Sequence, residues 1–284
     1  MTSGGNPLEI YFLGTASGLP TPQRFSQTIA VKLRERLHLL DVADGASSLL
    51  CHHELDHCAI RSVVISHMHG DHHSGLIQLI KTMMHLGRRD PLLVYMPQEG
   101  IEAYSTMLEA CYLLPQWLGF PIEWRAIETG AKAQLDDEVF IEAMANEHLR
   151  PFRRRAAALE KLPPAWRFES YSFKLHAQGL VLAYTGNLDV SLLEIDPFGR
   201  DADVLITELA HLDLEPSFEA LRTLQPKIAI FTHFHPKWDD KERDRLISTQ
   251  GPQGVEVYLA EDGDIYHIDR RLASDARPAQ DGSA

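Results

Sequence analysis

The sequence predicts a mixed α and β fold, and three observations predict it. Short apolar runs of strand length recur from Leu8 to His267, stretches with helical periodicity lie between them, and several runs in each half end in histidine or carboxylate side chains. The 284 residues are 44% apolar, enough for a sizeable core, and no low-complexity linker divides them. One domain is therefore expected over residues 1–272, followed by a disordered tail at 273–284 rich in Ala, Asp, Pro, Gly and Ser. The 27 basic and 40 acidic residues give a net charge of −13, which argues against general nucleic-acid binding. Any anionic substrate would need a local basic patch. Three cysteines form no disulfide framework, the start of the chain lacks a signal-peptide pattern, and no apolar run reaches about 18 residues. These features predict a soluble, cytoplasmic protein without a membrane partner.

Leu8 to Leu13 reads as a strand followed by a turn-rich loop, Gly14 to Pro20. Gln27 to Leu33 and Leu37 to Val42 read as a hairpin turning at Arg34-Glu35-Arg36. The stretch Cys51 to Cys58 is rich in potential ligands, but it lacks paired C-x-x-C spacing and is expected to be a polar helix end. Val63-Val64-Ile65 then forms a buried strand that empties into His67, His69, Asp71 and His72. Side chains alternate along an extended segment, so His67 and His69 point one way while Met68 turns to the core. Gly70 lets the backbone turn, placing Asp71 and His72 at the start of a helix that carries Leu76, Ile77, Leu79, Ile80, Met83 and Met84 to near Leu86. Two imidazoles thus face one point, and a carboxylate with an imidazole faces a neighbouring one. Such donors suit zinc, with manganese or iron as substitutes.

Leu92 to Tyr95 is the next strand, and Glu99 to Leu114 a helix whose stripe is Ile101, Tyr104, Met107, Leu108 and Cys111. Strands follow at Ile122 to Ile127 and Val139 to Ala145, the second delivering Asn146-Glu147-His148. Arg150, Arg153, Arg154 and Arg155, then Lys161 and Arg167, form the densest positive region of the chain. It reads either as a solvated helix face, Arg153 to Leu162, or as an anion clamp in which Arg150, Arg153 and Arg154 hold substrate oxygens. Ser170 to His176 and Leu180 to Tyr184 form a hairpin ending in Tyr184-Thr185-Gly186-Asn187-Leu188-Asp189. A strand from Asp203 leads to Glu208 and His211, a helix spans Leu214 to Leu224, and the strand Lys227 to Phe231 leads to His233 and His235. A helix at Lys241 to Ile247 and strands at Val255 to Tyr258 and Asp264 to His267 complete the expected elements.

The pattern H-x-H-x-D-H after a hydrophobic strand resembles the signature of the metallo-β-lactamase superfamily. The segment F-L-G-T-A-S-G-L-P-T-P-Q-R-F-S resembles the amino-terminal signature of its tRNase Z branch, zinc-dependent nucleases that trim transfer-RNA 3′ ends. The resemblance spans roughly Leu8 to His267 and implies an α+β fold, the four-layer αβ/βα sandwich. It implies His148 as third ligand of the His67/His69 metal and His233 as last ligand of the Asp71/His72 metal. Asp41, or nearby Asp44, would orient a ligand histidine or its turn. His235 would support a ligand or touch substrate. Where the family has an aspartate bridging both metals this chain has Asn187, so the second zinc is expected to be weaker unless Asp189 takes that place.

The expected function is a metal-dependent hydrolase, tRNase Z-like and foremost a phosphodiesterase, acting through a metal-activated hydroxide. A metal pair about 3.5 Å apart acidifies a bridging water and stabilises charge on the attacked group. Asp71 would bind metal and orient the nucleophile. His211, held by Glu208, would protonate the leaving oxygen. The family acid is a histidine directly before the glutamate, where this chain has Thr207. Between His72 and His148 no glycine-proline-basic arm of the family's kind occurs, which points to a small anionic diester and away from full-length transfer RNA. Two alternatives stand beside this reading: hydrolysis of a carboxylic ester, thioester, lactone or sulfate ester, and a catalytically weak metal-binding scaffold or sensor. A homodimer is compatible with the resemblance.

Overall fold

In the computed structural model, which describes residues 7–238, 252–269 and 272, the apolar runs pair into two seven-stranded sheets. Leu8–Gly14 (β1), Thr28–Leu33 (β2), Arg36–Val42 (β3), Ile60–Val64 (β4), Leu92–Met96 (β5) and Ile122–Ala126 (β6) build the first sheet. Lys132–Gln134 (β7), Val139–Ala145 (β8), Tyr171–Ala177 (β9), Leu180–Tyr184 (β10), Val204–Glu208 (β11), Ile228–Thr232 (β12) and Glu256–Leu259 (β13) build the second. Ile265–Ile268 (β14) returns to the first sheet and pairs with β1. The helices are Ala46–His52 (α1), Gly70–His73 (α2), Leu76–His85 (α3), Gln98–Ala110 (α4), Pro115–Leu118 (α5), Arg150–Ala156 (α6) and Leu214–Leu224 (α7). The expected helix at Lys241 to Ile247 and the expected tail from Ala273 lie outside the described residues.

Three apolar clusters make the four layers. Between the sheets, Ile10, Phe12, Val31 and Val64 pack with Phe173, Leu182, Ile206 and Ile230. On the outer face of the first sheet Leu50, Leu79, Ile80, Met83 and Tyr104 hold α1, α3 and α4; on the outer face of the second, Leu205 and Phe231 hold α7 through Leu221 and Leu224. Burial on both faces is why the central strands read as continuous apolar runs. The parallel runs β3-β4-β5-β6 and β10-β11-β12-β13 bring the carboxyl ends of their strands to shared rims, and the chemistry-bearing residues follow those ends.

Several elements depart from the sequence expectation. One helix expected from Asp71 onward is two, α2 and α3. α4 stops at Ala110, well short of Leu114, because Tyr112 takes a left-handed φ of 59° and Pro115 opens α5. Cys111 and Met107 are exposed, so only part of the expected stripe is core. The helix expected at Arg153 to Leu162 begins at Arg150 and ends at Ala156, since Pro151 is tolerated in a first turn. β7 was not expected; its three residues show no apolar alternation and are defined by pairing with β8.

Arg36 and His38 on β3 reach Asp136 in the β7–β8 turn, each at 3.2 Å, and so clasp one sheet to the other. His38 is fully buried, with Nδ1 2.9 Å from Ser62 Oγ. Burial opposes ionisation of Asp136, but hydrogen bonds from His38 and the Glu138 amide, with the charge on Arg36, hold its carboxyl well below the usual carboxylate range. Asp136→Asn is expected to cost about 1–3 kcal/mol at pH 7, read by urea unfolding. A depressed folded pKa contributes stability that is present above the unfolded pKa of about 3.9 and is lost as pH falls through the folded value, so the gap between variant and wild type should narrow below about pH 4. Equal stability at pH 7 would remove the clasp.

Candidate metal centre

Beyond β4 the chain crosses from one sheet to the other. The Ile65 amide bonds Tyr95 O of the first sheet at 2.9 Å, Ser66 O accepts from Tyr171 N at 3.1 Å, and His67 forms a bridge with Ser170. His67 and His69 lie on one side of this crossing with ring centroids 4.6 Å apart, and Met68 packs beneath against the helix-side core. The turn at Gly70 opens α2, which presents Asp71 and His72. His148 follows β8, and its Nδ1 donates to Leu188 O at 3.2 Å, leaving Nε2 as the lone-pair nitrogen. His233 follows β12 with a left-handed φ of 56° that turns its ring inward. Two ligand sets result, His67 with His69 and His148, and Asp71 with His72 and His233; the donor atoms within each set lie within 4.8 Å of one another.

Asp41 fixes the geometry. It sits in a bulge of β3 with φ 57°, where the register with β2 slips, and the bulge aims its carboxylate across the rim. That carboxylate accepts from Ser66 N at 2.7 Å, Ser66 Oγ at 2.9 Å, Tyr184 OH at 2.5 Å and His72 Nδ1 at 2.7 Å. His72 is thereby locked with Nε2 toward the site. Asp44, the alternative, is exposed.

Donor chemistry fits divalent cations. Nε2 of His67, Nε2 of His72, Nδ1 of His233 and Oδ1 of Asn187 are buried with no hydrogen-bond partner, a costly state unless something binds them. Burial, then neighbouring imidazoles, pushes His67 and His233 well below the usual histidine range and His148 down to about 3, so these rings are neutral and ligand-ready. Burial also opposes charge on His72, yet Asp41 and Asp71 outweigh it and push it up to about 9. A proton there takes the place a cation would fill. A nitrogen-rich set with one carboxylate suits zinc.

Gly186 turns with φ 58°, and a Cβ there would meet Tyr171 O at 2.8 Å, so only glycine lets Asn187 reach the site. Asn187 is buried with Nδ2 3.1 Å from His233 Nε2. Asp189 is engaged elsewhere, in an ion pair with Arg150. Glu208, 1% exposed at the end of β11, accepts from Leu188 N at 3.1 Å, His211 N at 2.8 Å and His211 Nδ1 at 3.1 Å. Burial opposes protonation of His211, but the Glu208 bond raises it above the ordinary range. Its ring packs 4.9 Å from His148 and 6.2 Å from His233, beside both sets. His235 joins neither: the left-handed turn at His233 ends strand alternation, and His235 Nδ1 instead accepts from Lys237 N at 3.1 Å. Arg153 and Arg154 are exposed on α6, Arg153 lying 3.9 Å from Glu147.

Sequence reasoning missed Tyr184, whose hydroxyl completes the Asp41 network, and Glu194, whose carboxylate holds the amides of Glu147 and Asp189 and so ties the His148 turn to the Asn187 turn. Tyr184 directly precedes the glycine turn, a signal that could have marked it. The loop at 15–26 forms one wall. Asp262 accepts from Thr15 N, Thr15 Oγ1 and Phe25 N, and Phe234 exchanges backbone bonds with Thr15 and Ser17. A Cβ at Gly18 would lie 3.4 Å from Asp71 Oδ2. Cys51 is exposed and Cys58 half-buried, and neither joins a ligand set among the described residues, in keeping with a polar helix end.

A family model described as a beta-lactamase superfamily domain matches residues 39–234. The ribonuclease Z of Pyrococcus abyssi is 29% identical over 248 residues, covering 76% of this chain and 79% of its own. The crystal structure of human tRNase Z, short form, superposes with a TM-score of 0.69 at 19% identity, over 92% of this chain and 99% of the other. A diphosphatase from the PhnP family gives a TM-score of 0.66 at 16% identity, over 92% and 98%. Among the described residues no helix is long and apolar enough to cross a membrane.

Proposed function

This chain belongs to the beta-lactamase superfamily, and from that premise we propose that it is a metal-dependent hydrolase of small phosphodiesters. The observation that carries the reading is the pair of buried ligand sets side by side with the Glu208–His211 pair packed against both. Divalent cations bound there supply a Lewis acid that acidifies water and neutralises charge on the phosphoryl oxygens. The chain's own side chains do the rest. Asp71 Oδ2, 3.4 Å from His72 Nε2 and 3.7 Å from His233 Nε2, is placed to accept a hydrogen bond from the attacking water and orient it. His211, whose Nδ1 is held by Glu208, donates a proton to the leaving oxygen. Arg153 and Arg154 stand exposed to meet anionic oxygens, whereas Arg150, paired with Asp189, braces the wall.

The relatives' names, ribonuclease Z and diphosphatase, support a phosphate-ester substrate. A small diester is favoured over transfer RNA because the chain between His72 and His148 is taken up by α3 to α5 and β5 to β8. The test is hydrolysis of a chromogenic phosphodiester by protein loaded with zinc or manganese, against a chelated sample. Turnover that chelation abolishes and zinc restores is the expected result; metal-loaded protein that leaves the diester intact overturns the reading.

A further inference from the structure

The geometry points to Phe152 as the surface on which a nucleobase of the substrate rests, so that the diester is a nucleoside one; this rests on the phosphodiester reading above. α6 begins two residues after His148, which ties its position to the ligand set. Its Phe152 is 43% exposed, with its ring centroid 4.9 Å from that of His69 and the planes at 64°. A phenylalanine left in water beside a ligand histidine carries an unfavourable apolar surface that a flat ligand would cover. Arg155, one turn on, holds its guanidinium 5.6 Å from the same ring.

The surrounding lip is anchored rather than loose. Arg153 donates to Phe168 O, and Glu99 accepts from the amides of Arg167, Phe168 and Glu169 at 2.6, 3.1 and 3.1 Å, fastening this segment to α4. Trp166, half-exposed, packs its edge on Phe168 with centroids 5.6 Å apart. In a chain of net charge −13, this lip sets two exposed aromatic rings, Phe152 and Trp166, in one segment with the exposed Arg153, Arg154 and Arg155. Bases stack on aromatic faces and guanidinium groups pair with phosphate, so one nucleotide uses both features. A carboxylic ester uses neither, and a simple alkyl phosphodiester uses only the guanidinium groups.

Two chromogenic esters with the same leaving group separate the possibilities: thymidine 5′-(p-nitrophenyl phosphate) and methyl p-nitrophenyl phosphate. In zinc-loaded protein, Phe152→Ala is expected to raise KM for the thymidine ester about tenfold, with kcat within about twofold and the methyl ester unaffected. Phe152→Trp should restore the wild-type KM. Equal change on both esters, or no change on either, overturns the assignment. Calorimetric titration of thymidine 5′-monophosphate into the same proteins reads the platform without turnover. If neither ester is cleaved yet nucleotide binding weakens in Phe152→Ala, the platform stands and the phosphodiester reading falls; if the nucleotide binds neither protein, the platform falls. Zinc content and far-UV circular dichroism matching wild type show that each variant is folded.

Discussion

His211→Ala is expected to lower kcat by about 10²–10⁴-fold on a diester with an alkoxide leaving group, with zinc content remaining that of the wild type. The expectation follows from what surrounds the ring. Glu208 is buried and directs one oxygen to His211 Nδ1, the other to the His211 amide, so the imidazole is held in place and its hold on a proton is strengthened. An alkoxide cannot leave without a proton, but p-nitrophenolate can. The same variant should therefore lose far less on a p-nitrophenyl ester, and that contrast separates proton donation from a general loss of structure. Thr207, at the place where the tRNase Z family carries its acid, is fully buried within β11 and has its hydroxyl 3.4 Å from that of Thr185. It is not available to the site, and the proposed donor is therefore His211, which packs beside both candidate ligand sets. Unchanged kcat on the alkoxide ester would remove His211 from the mechanism.

What was legible in the sequence is what depends on local pattern. The helix Leu214–Leu224 matches its expected bounds, because an amphipathic stripe between a strand and a left-handed Gln225 leaves little freedom. The clustering of His67, His69, Asp71 and His72 as candidate ligands was legible because their spacing alone sets two facing directions, and Met68 turns to the core as alternation requires. His148 and His233, and the layered architecture itself, came from resemblance, since nothing local distinguishes a ligand histidine at a strand end from a structural one. Legibility failed where a single backbone torsion decides the outcome. His235 was placed by alternation, but φ at His233 is positive, and alternation does not survive that turn. It failed again where partners distant in sequence compete: Asp189 could be read as a spare ligand only while its pairing with Arg150 was unseen. From the sequence Phe152 is one candidate pocket-lining aromatic, of a kind more often core or interface, and only the fold shows its ring 4.9 Å from that of His69.

Asn187→Asp is expected to tighten the second cation by about 100-fold. Wild-type protein dialysed against a weak chelator should keep one zinc per chain, and the variant two. Asn187 is the buried group nearest in kind to a bridging ligand, with Nδ2 at 3.1 Å from His233 Nε2 and Oδ1 without a hydrogen-bond partner. Rotation of the amide would offer that oxygen to a cation, but a neutral oxygen attracts a divalent ion far less than a carboxylate does. At an effective dielectric of about 20, one unit charge a few ångströms from another is worth about 4 kcal/mol before desolvation, so a net gain of about 100-fold, about 2.7 kcal/mol, leaves about a third of that to the cost of burying the added charge. The His67, His69 and His148 set offers three imidazoles without this position and should retain its ion through the dialysis in both proteins. Turnover then sorts the functional alternatives. A rise in diester hydrolysis that tracks the second zinc marks the natural chain as a slow catalyst with an exchangeable second ion. A second zinc with reduced turnover makes the asparagine part of an asymmetric working site, because the added charge then binds metal at the expense of the reaction. Equal zinc content in the two proteins would contradict the premise shared by both outcomes, that the amide at 187 limits occupancy of the Asp71, His72 and His233 set.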